Sequence, residues 1–116
     1  MQIADDRPLI PLTLITRRVI IKDMIRSFAD KRTERLFQRE PVKGLPAAVQ
    51  RSALRKLAML NAAISLDDLK VPPGNRLEKL AGNRAGQFSI RVNDQWRICF
   101  RWSHGEAVDV GLVDYH

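Results

Sequence analysis

The sequence predicts an α+β domain in which two N-terminal helices pack on a twisted, mainly antiparallel β-sheet. Two observations carry this. Val49, Ala53, Leu57, Leu60 and Ile64 recur at helical spacing and form one apolar stripe. From Gln87 onward the period drops to two, and alternating runs are separated by short polar turns. A length of 116 residues suits one such domain, large enough to bury a core without a metal or disulfide staple.

Residues 1–23 stand apart. Pro8–Thr16 is apolar, but it is too short to span a membrane. Asp5 and Asp6 precede it where a signal peptide would carry cations. Residues 1–23 are therefore expected to be a leader from an upstream start codon or an added edge strand, with the domain proper at 24–116. Ser27 and Asp30 offer N-caps for a short helix through Gln38. Phe28, Leu36 and Phe37 would face inward, and Lys31, Arg32, Arg35 and Arg39 outward. Glu40-Pro41-Val42-Lys43-Gly44 breaks that helix, and Pro46 suits the first turn of the second. The two helices should form an αα-hairpin.

Val71-Pro72-Pro73-Gly74-Asn75 reads as a rigid loop, Leu77–Leu80 as a short strand, and Ala81–Gly86 as a glycine-rich turn. In the next strand Phe88, Ile90 and Val92 share one face, and Ser89 and Arg91 the other. Asn93-Asp94-Gln95 makes a hairpin turn. Trp96, Ile98, Phe100 and Trp102 then alternate with Arg97, Cys99 and Arg101. After Ser103–Glu106, Val108, Val110 and Leu112 alternate with Asp109 and Gly111. One face of this meander should pack on the helices, leaving the other free to be polar.

Charge and composition narrow the function. The net charge of +7 predicts attraction to polyanions or to an acidic protein partner. Cys99 is the only cysteine, which suits a reducing, cytoplasmic setting. With one Cys and two His the chain is poorly supplied for a zinc site, and no metal or other cofactor is expected. Gly82–Gly86 lacks the Lys-Ser/Thr of a P-loop.

Alternation puts Arg91, Arg97 and Arg101 on one face of the sheet. Clustered arginines repel unless they serve a polyanion or meet carboxylates. RNA is one answer; a surface Arg–Asp network through Asp109 is the other. Asp114-Tyr115-His116 follows the last strand. The histidine side chain can act as a general acid or base near neutral pH, which makes His116 a candidate, although terminal residues often fray. An arginine surface beside a Tyr-His pair suits metal-free RNA cleavage, in which the ribose 2′-hydroxyl attacks the adjacent phosphate.

From Met24 onward the chain resembles the HigB-type toxins of bacterial toxin–antitoxin modules, also called plasmid maintenance system killer proteins, within the RelE/ParE superfamily. The resemblance rests on Met24-Ile25-Arg26-Ser27-Phe28, Arg55-Lys56-Leu57, Pro72–Glu78, Gly82–Gly86, Ser89–Asn93, Gln95-Trp96-Arg97 and Asp114-Tyr115-His116, in that order. It implies a RelE/ParE-like fold and a ribosome-dependent mRNA endonuclease that cuts in the ribosomal A site. It implies that Arg97, Tyr115 and His116 are catalytic, with His116 as acid or base and Tyr115 orienting the base or stacking on a nucleobase. Arg91 and Arg84 match basic positions near the site; Arg91 is expected to join the catalytic set, and Lys79, Arg84, Arg76 and Arg101 to bind RNA. Ala81 stands where some members carry a lysine; Lys79 and Arg84 are the candidates to replace it. The implied partner is a helix-turn-helix, HigA-like antitoxin that also binds operator DNA. The same superfamily leaves room for a ParE-like gyrase inhibitor or a non-catalytic, antitoxin-binding co-regulator.

Overall fold

The computed structural model describes residues 25–115. The expected leader at 1–23 and the terminal His116 lie outside these residues. Within them the order is helix α1 (Lys31–Phe37), helix α2 (Ala47–Ala62), then strands β1 (Glu78–Lys79), β2 (Phe88–Arg91), β3 (Trp96–Ser103) and β4 (Glu106–Asp114). The strands form one antiparallel sheet in the order β1-β2-β3-β4. This is the α+β arrangement that the change of period predicts.

Asp30 caps α1, its Oδ1 accepting from Thr33 N–H at 2.7 Å. Seven residues are too few to hold a helix by propensity, so cap and packing matter together. Leu36 enters the core, while Phe28 and Phe37 lie 5.7 Å apart between ring centroids and pack against it. Asp30→Ala is expected to destabilise the domain by about 1 kcal/mol, measured as a lower urea midpoint at unchanged m-value.

Ser27, the other expected cap, has a different task. Its Oγ accepts from Asp109 N–H at 2.9 Å. The segment around it runs parallel to β4, bridging Ile25 to Ala107 and Phe28 to Val110. Backbone bonds from Arg26 to Ala107 (2.7 Å) and from Ala29 to Val110 (2.8 Å) occupy an edge that would otherwise offer unpaired carbonyls.

Pro46 is the N-cap of α2 rather than a first-turn residue. Val49, Ala53, Leu57 and Leu60 are buried as the stripe requires. Ile64 is not: the helix ends at Ala62, the backbone turns extended at Ala63, and Ile64 is 77% exposed. Ala63 is buried next to the helix end instead. Helix α2 packs against α1 and across β3 and β4. Ile90, Ile98, Phe100 and Val110 meet it from the sheet at roughly 25 cal/mol per Å² of apolar surface buried.

The alternation expected in β4 slips by one residue. Cys99 pairs with Gly111, but Arg101 pairs with Val108, so Asp109 and Val110 together oppose Phe100. This is a β-bulge, and Asp109 sits in it at φ 53°. Its consequence is that Ala107, not Val108, joins Val110 and Leu112 in the core.

The polar face of the sheet is not simply open either. Ser89, Arg97 and Cys99 are all buried there. Among the described residues no helix is long and apolar enough to cross a membrane.

Candidate functional site

The β2–β3 register sets Arg91 directly opposite Arg97, and Arg97 opposite Val113 of β4. The hairpin turn fixes that register locally: Asn93 Oδ1 accepts from Gln95 N–H at 2.8 Å and from Trp96 N–H at 2.7 Å.

Arg97 is the centre of the arrangement. It is only 8% exposed. A buried cation must find acceptors, and three are supplied. Its Nε donates to Ser89 Oγ at 2.7 Å, and Nη2 donates to the Arg76 carbonyl at 2.6 Å and more weakly to Ser89 O at 3.4 Å. The Glu78 carboxylate lies 3.9 Å from Nη2, and the Tyr115 ring centroid lies 5.9 Å from the guanidinium carbon. Among the described residues Nη1 donates to none. The fork is thus clamped on one side and has a donor to spare on the other.

The Arg76 carbonyl reaches Arg97 because of backbone shape. Pro73–Asn75 forms a short 3-10 turn that ends with Arg76 in the left-handed region, at φ 45°. Asn75, fully buried, anchors the turn: its amide donates to Leu69 O at 3.1 Å and Val71 O at 3.4 Å, and its Oδ1 accepts from Lys56 Nζ. Desolvation, helped by the charges of Arg55 and Arg91, holds the Lys56 ammonium below the usual lysine pKa.

Beside Arg97 is a cleft of about 330 Å³ lined by Ala81, Asn83, Arg84, Val113, Asp114 and Tyr115. Tyr115 is held there by its N–H, which donates to Gln95 O at 2.6 Å, and Gln95 Nε2 donates to Asp114 Oδ2 at 3.1 Å. Arg84 is half-buried and donates to Gln87 Oε1 at 3.2 Å. Three expected residues therefore gather here: Arg97, Tyr115 and Arg84. His116 follows Tyr115 directly in sequence but lies outside the described residues.

Arg91 stands opposite Arg97 across the β2–β3 pair, with its guanidinium on Asp94 of the hairpin turn and its charge felt at Lys56. The others are dispersed. Arg101 pairs with Asp109 at 3.8 Å, the alternative that the sequence left open for it. The Arg76 side chain is exposed, so its contribution to Arg97 is its carbonyl. Lys79 pairs with Phe88, which packs on the core, while Glu78 pairs with Ser89. Strand alternation thus places Lys79 on the face opposite Arg97 and gives the position near the site to Glu78. Strand phase therefore does not bring Lys79 beside Arg97 as it does Glu78.

Ser89 and Glu78 are the neighbours of Arg97 that sequence reasoning did not single out. Alternation had already put Ser89 on the arginine face. Nothing comparable marked Glu78, because a two-residue strand has no readable phase. Cys99 lies below the same surface, where burial pushes its thiol pKa up against smaller opposing effects of Arg84 and Arg97. Among the described residues no group of three or more His, Cys, Asp and Glu is disposed to hold a metal ion.

A family model described as the RelE-like toxin of type II toxin-antitoxin system HigB matches residues 26–116. Over 90 residues the chain is 41% identical to Toxin HigB-1 of Vibrio cholerae serotype O1, covering 77% of this chain and 95% of that protein. It is 32% identical over 93 residues to Endoribonuclease HigB of Proteus vulgaris, covering 80% of this chain and all (100%) of that one. An uncharacterized protein of Haemophilus influenzae is 36% identical over 68 residues, 59% of this chain and 67% of its own length. The family match runs through both helices, all four strands and the Arg97–Tyr115 pair, and on it the chain belongs to the RelE-like HigB toxins of type II toxin–antitoxin systems.

Proposed function

We propose that this toxin is a ribosome-dependent mRNA endonuclease, and that the cleft between Arg84 and Tyr115 receives the scissile phosphate. The observation that carries this reading is Arg97: it is clamped by Ser89 and Arg76 beside the Tyr115 ring, and among the described residues its Nη1 is left to donate elsewhere. The Proteus vulgaris relative is named an endoribonuclease, which supports the same chemistry here.

In this reaction the ribose 2′-oxygen attacks the adjacent phosphorus and loses its proton to a base. The bond to the 5′-oxygen breaks, and an acid protonates that oxygen. The products are a 2′,3′-cyclic phosphate and a free 5′-hydroxyl. Arg97 and Arg84 stabilise the negative charge that grows on the phosphoryl oxygens. A donor fixed before the reaction needs no reorganisation as charge develops. His116 is the acid or base that exchanges one of these protons. Tyr115 stacks on a base or orients the proton carrier.

As a type II toxin the protein has an antitoxin partner; we take it to be a helix-turn-helix, HigA-like protein that also binds operator DNA. The net charge of +7 favours both an acidic antitoxin surface and ribosomal RNA. The site of action would be the ribosomal A site, in the cytoplasm. Primer extension on mRNA from ribosome complexes incubated with the purified toxin tests this. New 5′ ends within the A-site codon are expected. Uncut mRNA, or gyrase-linked DNA breaks in its place, would overturn the reading.

A further inference from the structure

A second cleft, of about 280 Å³, opens next to the first, and Arg84 and Val113 line both. Its remaining walls include Asp30, Gln87, Arg101 and Asp109, and Gly111 lies among them. Two structural irregularities shape it. Gly111 has no side chain, and a Cβ there would come within 3.2 Å of both Ala29 Cβ and Asp30 Oδ2. The bulge adds Asp109 to β4 and leaves it 3.8 Å from Arg101 Nε. On the other side Arg101 lies over Gly86, where a Cβ would fall 2.7 Å from Nη1.

The charge pattern separates this cleft from the first. Its two guanidiniums, Arg84 and Arg101, are matched by two carboxylates, Asp30 and Asp109. A phosphate entering here would meet as many negative groups as positive ones. A neutral ligand with both donors and acceptors on one edge meets complementary groups instead. Single-stranded RNA is read through such edges, on bases splayed out of the stack. Carboxylates accept from exocyclic amines, and arginine and glutamine donate to ring nitrogens and carbonyls.

We propose that this cleft binds the base of a nucleotide flanking the scissile one and selects bases that carry an exocyclic amine over uracil. Asp109 accepts the amine, and Gln87 and Arg101 donate to the remainder of the edge. The proposal rests on the endonuclease reading above. It changes what Arg101 does: it reads a base rather than neutralising a phosphate.

The test is a ribosome-bound mRNA library randomised around the cleavage site, with cut ends mapped by sequencing. Wild-type toxin should disfavour uracil at one flanking position. Asp109→Asn keeps the left-handed backbone acceptable, because asparagine tolerates it, and exchanges an acceptor for a mixed amide. It should weaken the discrimination at that position about tenfold, leaving preferences elsewhere as they were, and Gln87→Ala should flatten the same position. Wild-type, Asp109→Asn and Gln87→Ala profiles that coincide would overturn the proposal. A gain in cutting by Asp109→Asn that is uniform across all sequences would also overturn it, since that is the signature of a phosphate site. A wild-type protein that cuts no RNA at all would overturn the endonuclease reading first, and this one with it.

Discussion

Arg97→Ala should lower cleavage of ribosome-bound mRNA by about 100-fold or more, the usual loss when one fixed charge-stabilising donor is removed. The magnitude follows from how the side chain is held. Ser89 and the Arg76 carbonyl fix two of its nitrogens, so the guanidinium loses little freedom when it meets the transition state. Alanine removes a buried charge along with its contacts, and the variant needs a thermal unfolding curve beside the kinetics. Arg97→Lys separates charge from geometry. A lysine keeps the cation but cannot donate to Ser89 and Arg76 together through a planar fork. It should recover only a minor part of the activity. A folded Arg97→Ala protein that cleaves at the wild-type single-turnover rate would remove Arg97 from the mechanism.

The second large effect concerns stability. Asn75→Ala should destabilise the domain by about 2–3 kcal/mol, a sizeable share of the 5–15 kcal/mol by which domains of this kind are stable. The residue is fully buried, and its amide satisfies two carbonyls and the Lys56 ammonium. Alanine would leave all three without that partner. Lys56→Met should cost less, because it deletes the cation instead of abandoning it. Urea unfolding of both variants measures the difference, and an Asn75→Ala midpoint equal to wild type would show that the loop holds itself. Cleavage should fall as well, since the next residue, Arg76, supplies the carbonyl that grips Arg97.

Much of this was legible in the residues. The stripe from Val49 to Leu60 gave α2, and the alternation on either side of Asn93-Asp94-Gln95 gave a register with Arg91 against Arg97. The losses have specific physical causes. Ile64 continues the helical spacing, but the chain leaves the helix before reaching it. Val108 continues the strand alternation, but a left-handed Asp109 inserts a residue and hands the core position to Ala107. Side-chain pattern cannot report either event, because both occur in the backbone. The site was half legible. Arg97, Tyr115 and Arg84 do converge, and alternation put Ser89 on the face where it holds Arg97, but the second clamp comes from a loop 21 positions earlier in sequence and the nearby Glu78 from a strand too short to show its phase. The face that Lys79 takes, opposite Arg97, was not readable for that second reason.

The buried Cys99 gives the protein an internal clock. It is the only thiol in the sequence, it sits in a central strand, and burial raises its pKa. Alkylating reagents attack the thiolate, and the thiol lies in the wall of the second cleft, so labelling waits on local openings that let reagent reach it through that cleft. The rate of modification then counts openings beside the very strand that carries Arg97. Antitoxin or RNA bound across that strand would slow the count, and so occupancy of the site becomes measurable without attaching a probe to the toxin.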